Sequence, residues 1–281
     1  MNTIKITKMQ GCGNDFVITE YSEFRKTGMN LDEFARKICD RHFGVGADGV
    51  IMPMMNSRSA EIEWLFYNSD GSTAQMCGNG MRCFAKYLYD KKYVNTPRVA
   101  VRTGAGVIRS EILKKNDVRV NMGIPILEPE KIPFKGDKSL NYVLEVGDAS
   151  IVVNAVSMGN PHCVVFTDEN VNKLATKLGP FLEKHKLFPQ ATNVEFVKVK
   201  SKTEIDIGVY ERGCGITLAC GTGACASVVA SILNNLTDKK VKANLPGGSL
   251  FVEWEGISNG IVEPVFLTGP ANYTFFGEFV L

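Results

Sequence analysis

Short runs of apolar and alternating residues make up most of the chain and predict a protein rich in β-strands. These runs are about five to eight residues long, are rich in Val, Ile, Phe and Thr, and are bounded by Gly, Asn and Asp. The predicted strands are residues 4–8, 15–19, 49–54, 61–67, 98–102, 107–113, 118–122, 149–156, 162–167, 193–199, 204–210 and 249–255.

Helices are fewer. Apolar residues recur at helical spacing in residues 31–38, 81–88 and 171–178. Residues 224–233 are apolar on nearly every side, which is typical of a helix buried all round.

Two segments of the chain are copies of one pattern. Residues 61–80 (EIEWLFYNSDGSTAQMCGNG) align without a gap to residues 204–223 (EIDIGVYERGCGITLACGTG), at a constant offset of 143 residues. Each copy ends in Cys-Gly-x-Gly, at Cys77 and at Cys220. The similarity also extends upstream and downstream, so we expect two homologous domains rather than a short-period repeat.

The pattern indicates the α/β (α+β) class, with two pseudo-symmetric domains and a mostly antiparallel, curved sheet around a central helix in each. The motif cysteine lies at the start of that helix. The domains are predicted as residues 1–117 plus 268–281 and residues 118–267. A ligand site is expected at the interface of the two domains.

Composition narrows the class of function. The 32 basic and 30 acidic residues are interspersed and leave a net charge of +2, which argues against nucleic acid as a partner. The N-terminus has no apolar core of a signal peptide, and the apolar run at 224–233 is too short to span a membrane. Eight cysteines without an export signal favour free thiols in the cytoplasm.

The two Cys-Gly-x-Gly motifs, each at the predicted N-terminus of a helix, combine two chemical functions. A helix N-terminus offers unpaired N–H groups and partial positive charge, and glycines let an anion approach that backbone. A cysteine there is expected to have a lowered pKa. Two such thiols facing each other could remove a proton from one face of a carbon and return one to the other.

Other readings of the cysteines stay open. Packing is the expected role of Cys39, Cys83 and Cys225, because free cysteine is usually buried. Zinc is a weak option, since the chain has no C-x₂-C pair and its three histidines are far apart in sequence.

Polar residues beside the motifs could bind a substrate or tune the thiols. Asparagines at strand and turn boundaries are often turn formers, yet as a set they could bind the polar groups of an amino acid. Glu211 and Arg212 replace Asn68 and Ser69 of the first copy, so the second half has a charged pair that could recognise a zwitterion. His162 could tune the protonation of a nearby thiol.

Six motifs in order along the chain resemble the diaminopimelate epimerase family. They are GCGNDF (11–16), CGNGMRCFA (77–85), MGNPHCV (158–164), YERG (210–213), ACGTGACA (219–226) and LPGGSL (245–250).

The resemblance implies a cofactor-independent epimerase that interconverts LL- and meso-2,6-diaminopimelate in lysine and peptidoglycan synthesis. It also implies a C-terminal strand that returns to the first domain over residues 268–281, and it is compatible with a homodimer. The site residues that it implies are Cys77 and Cys220 as acid/base thiols, His162 and Glu211 as their supports, Gly78, Asn79, Gly221 and Thr222 as the carboxylate cradle, and Asn14, Asn68, Asn160, Asn193, Glu211 and Arg212 as substrate contacts.

The chain departs from the family pattern without losing a catalytic group. Cys12 stands where leucine is usual, Cys214 where a small residue is usual, and Ile216 where glutamate is common. Gly49 falls where some members have a glutamine ligand. The two additional thiols are expected to make unwanted disulfides easier, and the Cys77–Cys220 pair is exposed to the same oxidation.

Three alternatives to the epimerase remain. A related racemase could act on proline, hydroxyproline or histidine with the same two thiols. A duplicated scaffold could bind an amino acid without exchanging its α-hydrogen. A pyridoxal-dependent racemase is disfavoured by the paired thiols.

Overall fold

The computed structural model describes residues 3–55, 62–74, 76–147 and 149–281. Residue 61, the first of the predicted strand 61–67, lies outside the described residues. So do residues 1 and 2 of the predicted N-terminal domain. No described helix is long and apolar enough to cross a membrane.

The four helices predicted from periodicity are confirmed. A fifth, of five residues, was too short to give a periodic pattern. The α-helices are α1 (Tyr21–Arg25), α2 (Leu31–Cys39), α3 (Gly78–Asp90), α4 (Val171–Glu183) and α5 (Gly221–Leu233), and two 3₁₀ turns are Lys114–Asn116 and Pro129–Lys131.

All the predicted strands are found, with ends that differ from the prediction by at most three residues. The strands are β1 (Thr3–Gly11), β2 (Asn14–Ile18), β3 (Gly49–Met55), β4 (Ile62–Asn68), β5 (Arg98–Thr103), β6 (Gly106–Ile112), β7 (Asp117–Asn121), β8 (Tyr142–Val146), β9 (Ala149–Ser157), β10 (Pro161–Phe166), β11 (Asn193–Ser201), β12 (Glu204–Glu211), β13 (Gly215–Ile216), β14 (Lys240–Leu245), β15 (Gly248–Glu253), β16 (Ile257–Ser258), β17 (Ile261–Val262), β18 (Phe266–Pro270) and β19 (Asn272–Val280). The two-residue strands β13, β16 and β17 are too short to have a pattern of their own.

The chain divides into two compact units. The first contains Met1–Val120 and Gly269–Leu281, and the second contains Asn121–Thr268. The domain boundaries predicted from the sequence lay after residues 117 and 267.

Strand order is the same in the two units. In the first unit the strands lie side by side as β19-β1-β2-β3-β4-β5-β6-β7, and only β2–β3 and β4–β5 are parallel. In the second the order is β8-β9-β10-β11-β12-β14-β15-β18, and only β10–β11 and β12–β14 are parallel. Each parallel pair is joined through a helix, as a parallel connection requires. The duplication in sequence is therefore a duplication of topology.

One helix in each unit is enclosed by its own strands. Helix α3 packs against β1, β2, β5 and β6, and helix α5 packs against β9, β10, β11 and β15. Residues 224–231 of α5 are buried, as predicted, whereas Ile232 and Leu233 at its end are half-buried. The residue that caps the N-terminus of each of these helices is a motif cysteine.

The other long helix of each unit covers a second apolar layer. In the first unit Phe34 and Ile38 of α2 pack with Val50 of β3. In the second unit Leu182 of α4 packs with Val194 and Phe196 of β11. Leu65 of β4 and Tyr210 of β12 also pack against these layers, which therefore help to hold the strands that precede the motif helices.

A close approach of α4 to β12 gives a test of this packing. A Cβ added at Gly208 would lie 2.4 Å from the carbonyl oxygen of Val171, a backbone atom that cannot move without shifting the helix. We expect Gly208→Ala to lower the free energy of unfolding by about 1–3 kcal/mol, the usual cost of overpacking. Urea denaturation measures the change.

The matched control is Gly277→Ala in β19, where the nearest atoms to an added Cβ belong to the Phe275 ring at 3.8 Å. Its effect should stay within about 0.5 kcal/mol. Equal effects of the two substitutions would contradict the packing described.

Candidate active site

Cys77 is the cap of helix α3. Its backbone is extended, with φ −145° and ψ 118°, and its Sγ accepts a hydrogen bond from the Gly80 N–H at 3.4 Å. The thiol thus satisfies one of the N–H groups that a helix start leaves unpaired. The same contact holds the sulphur at the first turn, beside Gly78 and Asn79.

Asn14 and Asn79 form a small amide network around this thiol. The Oδ1 atom of Asn14 lies 3.6 Å from the Cys77 Sγ and accepts a hydrogen bond from Asn79 Nδ2 at 3.1 Å. Asn14 Nδ2 in turn donates to Asp48 Oδ2 at 2.6 Å. The structure therefore brings three of the predicted residues together, and it adds Asp48 as the group that orients Asn14.

A buried arginine supports the same turn. Arg82 is fully buried, and its Nη1 donates to Asn79 Oδ1 at 2.9 Å while its Nε donates to the Pro270 carbonyl at 3.2 Å. Its positive charge adds to the partial charge of the helix start and favours an anion there. Sequence reasoning missed this role, although an arginine inside the apolar pattern of residues 81–88 was a visible signal.

Asn68 takes part in a turn rather than in the Asn14–Asn79 network. It ends β4, and its Nδ2 donates to Ser72 Oγ at 3.0 Å. Opposite it in the sheet is Gly49, where an added Cβ would lie 2.5 Å from the Phe66 ring. It would also lie 2.8 Å from the Tyr67 carbonyl oxygen, so this chain has no room for a larger residue at position 49 in its present conformation.

Cys220 caps helix α5 in the same way. Its φ is −119° and ψ is 110°, and its Sγ accepts from the Gly223 N–H at 3.4 Å. Thr222 Oγ1 lies 3.5 Å from the sulphur. The two motif cysteines thus have the same role in their helices, as the repeat predicts.

Glu211 lies beside this second thiol. Its Oε1 accepts a hydrogen bond from the Thr217 hydroxyl, and its carboxyl group lies close enough to Cys220 to raise the pKa of that thiol. Burial raises the pKa of Glu211, and the hydrogen bond from Thr217 offsets part of that rise.

The expectation of a lowered pKa is wrong for Cys220. Burial, followed by the nearby carboxylates of Glu211 and Glu195, raises the pKa of the Cys220 thiol well above its ordinary value. The hydrogen bonds from Thr222 and the Gly223 N–H act in the opposite direction and are smaller. Cys220 in the free protein is therefore a thiol rather than a thiolate.

His162 is tied to Glu195, which sequence reasoning missed. Both side chains are fully buried, and His162 Nδ1 lies 2.8 Å from Glu195 Oε1. The other ring nitrogen faces Asn160 Oδ1 at 3.1 Å, and Asn160 Nδ2 donates to Thr222 Oγ1 at 3.5 Å. A glutamate inside the apolar run of residues 193–199 was the signal in the sequence.

The side chain of Asn193 contacts the backbone of Arg212. Asn193 Oδ1 accepts from the Arg212 N–H at 3.0 Å, and Asn193 Nδ2 donates to the Pro161 carbonyl at 3.0 Å. The exposed guanidinium of Arg212 donates to the Gln190 carbonyl at 3.1 Å. Asn193 therefore fixes the chain at the point where Arg212 leaves the sheet.

The remaining cysteines divide by exposure. Cys12 is buried, and burial raises the pKa of its thiol against the opposing charge of Arg82. Cys214 is exposed and is the more accessible of the two added thiols. Ile216, the third departure, is 52% exposed in the short strand β13. Across the residues that the structure describes, no three His, Cys, Asp or Glu side chains gather as metal ligands.

Comparison with known proteins decides the family. The model of the family described as diaminopimelate epimerase matches residues 6–128 and 154–274. The chain belongs to the diaminopimelate epimerase family. The diaminopimelate epimerase of Desulfitobacterium hafniense is 46% identical over 281 residues, covering 98% of this chain and 97% of the relative. That of Leptospira biflexa is 45% identical over 284 residues, covering 98% of each. The resemblance drawn from the motifs is confirmed.

Solved structures confirm the fold class. A hydroxyproline epimerase from Agrobacterium vitis has a TM-score of 0.70 at 12% identity and covers 100% of this chain and 93% of that one. A Bacillus anthracis phenazine biosynthesis protein of the PhzF family has a TM-score of 0.70 at 14% identity, with full coverage of both chains. At these identities the likeness concerns the fold alone.

The raised pKa of Glu211 predicts how stability depends on pH. A carboxyl whose pKa is higher when folded than its usual 4.5 adds stability at low pH, and that contribution is lost as pH rises through the folded pKa. Glu211→Gln removes the buried charge, so we expect its melting temperature at pH 8 to rise by roughly 2–4 °C over wild type. The gain should vanish below about pH 4. Thermal melts across pH measure both.

Glu204→Gln is the control at the other end of β12. A hydrogen bond from Asn244 lowers the pKa of Glu204, so neutralising that residue should give no rise in melting temperature at pH 8. The same rise in both variants would contradict a specific cost of the Glu211 charge.

Proposed function

We propose that this protein interconverts LL- and meso-2,6-diaminopimelate by a two-thiol mechanism that uses no cofactor. One observation carries the proposal: each of two units of equal topology starts its enclosed helix at a cysteine whose thiol caps that helix. Membership of the diaminopimelate epimerase family supplies the substrate.

The two helix starts bind the carboxylate of the reacting amino acid. The backbone N–H groups at each helix start have no acceptor within the helix itself. They belong to Gly78 and Asn79 in α3 and to Gly221 and Thr222 in α5. The negative charge of the substrate grows as the α-carbon loses its proton and the carboxylate takes on enolate character. Donors that are already in place stabilise that charge without rearranging. Arg82 adds a full positive charge beside the start of α3, which strengthens the attraction of that helix start for an anion.

The two thiols carry the proton. In one direction the Cys77 thiolate removes the α-hydrogen while the Cys220 thiol donates a proton to the opposite face, and the reverse direction exchanges these roles. The raised pKa of Cys220 suits the donor role in the resting protein. We assign Glu211 and His162 to the support of this thiol, since Glu211 raises its pKa and Asn160 lies between His162 and Thr222.

Substrate recognition is assigned to the polar residues around the two starts. Asn14 lies within the first network, and Asn160 lies beside Thr222. Asn68, Asn193 and Arg212 lie at strand ends, and we assign them to the second amino-acid terminus of the substrate. A substrate with two such termini needs more polar contacts than a proline derivative.

The direct test is proton NMR of LL-diaminopimelate with reduced, cofactor-free protein. We expect the meso isomer to appear at a rate proportional to protein concentration. Binding without conversion would identify an amino-acid binding protein, and conversion of proline or hydroxyproline alone would identify a related racemase. Either result would contradict the proposal.

Both thiols are required. We expect Cys77→Ala and Cys220→Ala each to lower kcat/KM for epimerisation by at least about 10²-fold, the lower end of what a proton-transfer group contributes. The control is Cys83→Ala, because burial raises the pKa of Cys83 to about 12 and leaves it an inert thiol in the core of α3. Near wild-type turnover in either motif variant would contradict the two-thiol mechanism.

We also propose that the protein works as a homodimer in the cytoplasm. Strand β19 exposes Phe276 (61%) and Val280 (52%) on one face, an apolar surface that a second copy of this chain would cover. None of the eight cysteines, all of which the structure describes, forms a disulfide, as suits a reducing compartment.

Phe276→Asp places a charge in that surface. We expect sedimentation velocity to show a dimer for wild type and a monomer for the variant. The control is Phe181→Asp, because Phe181 is equally exposed, at 63%, on helix α4. A wild-type monomer, or loss of the dimer in both variants, would contradict an interface at β19.

A further inference from the structure

A short hairpin carries Glu211 and Arg212, two of the residues assigned to the substrate. It joins the end of β12 to β13, and Glu211 pairs with Gly215 across it. Residues 212–214 form its tip, and Gly213 has a φ of +77°, in the left-handed region that favours glycine. Because β13 has only two residues, pairing between the strands leaves the tip to be held by other contacts.

Two side chains from outside the hairpin accept hydrogen bonds from its tip. Asn193 Oδ1 accepts from the Arg212 N–H at 3.0 Å. Glu183 Oε1 accepts from the Gly213 N–H at 2.8 Å. A backbone N–H can only donate, so the direction of both hydrogen bonds is fixed. The two acceptors are buried whereas Arg212 and Gly213 are exposed, so the tip is fastened to the interior of the second unit.

The position of Glu183 is unfavourable for its own helix. It is the last residue of α4, where the partial negative charge of the helix end repels an acidic side chain. Its side chain is also buried, and burial of a carboxyl group costs free energy unless hydrogen bonds compensate. A residue that is present despite both costs is expected to have a role outside the helix, and its hydrogen bond to Gly213 supplies one.

The same region of the second unit holds the rest of the tip. The backbone carbonyl of Glu183 accepts from the Thr192 N–H at 3.0 Å, and Asn193 follows Thr192 directly. The Arg212 guanidinium donates to the Gln190 carbonyl at 3.1 Å. The end of α4, the start of β11 and the tip therefore form one hydrogen-bonded assembly, in which Glu183 contacts both of the other parts.

We propose that Glu183 is a positioning residue, which holds the tip of the hairpin by the Gly213 N–H and so places Arg212 for the second amino-acid terminus of the substrate. Because its side chain is buried, Glu183 acts through the hairpin rather than by touching the substrate. The anchoring of the tip concerns the free protein, whereas its effect on recognition rests on the function proposed above.

Hydrogen exchange of the Gly213 amide tests the anchoring in the free protein. In wild type we expect that amide to exchange at least about tenfold more slowly than an unbonded amide, the effect of one hydrogen bond on local opening. NMR of ¹⁵N-labelled protein measures the rate. Exchange of the wild-type Gly213 amide as fast as that of an unbonded backbone N–H would overturn the proposal without any variant.

Two variants of Glu183 separate the hydrogen bond from the space that the side chain fills. Glu183→Met keeps an unbranched side chain of similar length without the carboxyl acceptor, so we expect the Gly213 amide to lose its protection. Glu183→Gln keeps an acceptor oxygen and should retain most of that protection. Amides within α5 should exchange as in wild type in both variants. Equal protection of the Gly213 amide in the two variants would contradict the anchoring.

Kinetics test the positioning role. Glu183→Met should raise the KM for diaminopimelate by about tenfold and leave kcat within about twofold, since an interaction made equally in the ground and transition states affects KM alone. Glu183→Gln should restore the KM of wild type. A fall in kcat with no change in KM would contradict the assignment to substrate recognition.

The sharpest control repeats the substitution in a protein whose Arg212 is already replaced. If Glu183 acts through Arg212, Glu183→Met should have little further effect on KM in the Arg212→Ala background, because the two effects are coupled. A loss of the same size in both backgrounds would mean that Glu183 acts independently of Arg212, and would contradict the proposal.

Failure of this inference is distinguishable from failure of the proposed function. A protected Gly213 amide in a protein that does not convert diaminopimelate would leave the anchoring standing and remove the substrate assignment. Conversion of diaminopimelate by a protein whose Gly213 amide is unprotected would remove the anchoring and leave the function standing.

Discussion

The start of a buried helix is the constraint on which the rest of this structure depends. A helix enclosed by its own sheet cannot give its first N–H groups to bulk water, so something else must accept from them. In both units a cysteine sulphur takes one of these hydrogen bonds, from Gly80 in α3 and from Gly223 in α5. The partial positive charge of the same helix start favours an anion. Thiol and anion site are therefore consequences of the same backbone geometry.

The two helix starts share this geometry but differ in charge. The first is supported by Arg82 and by amides, whereas the second is surrounded by Glu211, Glu195 and His162. Burial and the neighbouring acidic groups raise the pKa of Cys220 against the effect of the helix start. In the mechanism proposed above a proton moves between two identical groups, and such unequal surroundings would distinguish them at the beginning. The divergence of Asn68 into Glu211 between the two copies is part of it.

Much of the fold could be predicted because its signals are local. The spacing of Leu31, Phe34 and Ile38 identifies α2, and the repeated Cys-Gly-x-Gly identifies both enclosed helices. Strand order and the position of the parallel pairs depend on contacts far apart in sequence, and they emerged only with the structure. The weakest prediction concerned a single residue whose behaviour depends on its neighbours: Cys220 has a raised rather than a lowered pKa.

The roles of Glu195 and Arg82 could not be predicted from the sequence. Each is a charged residue inside an apolar pattern, which signals a buried charge but not its partner. Pairing in the sheet brings β10 beside β11 and so places His162 next to Glu195, thirty-three residues away. Such a pair cannot be found from one sequence by periodicity or by motif. It is also the feature that connects the core of the second unit to its helix start.

The most direct test of the two-thiol account is the position of deuterium early in the reaction. LL-diaminopimelate is converted in D₂O, and mass spectrometry follows residual substrate and product while conversion is small. If one thiol removes hydrogen and the other donates from solvent, the meso product carries one deuterium at the inverted carbon and the residual LL substrate carries none. Equal deuterium in substrate and product from the start would mean that a single base serves both faces, and would contradict the account.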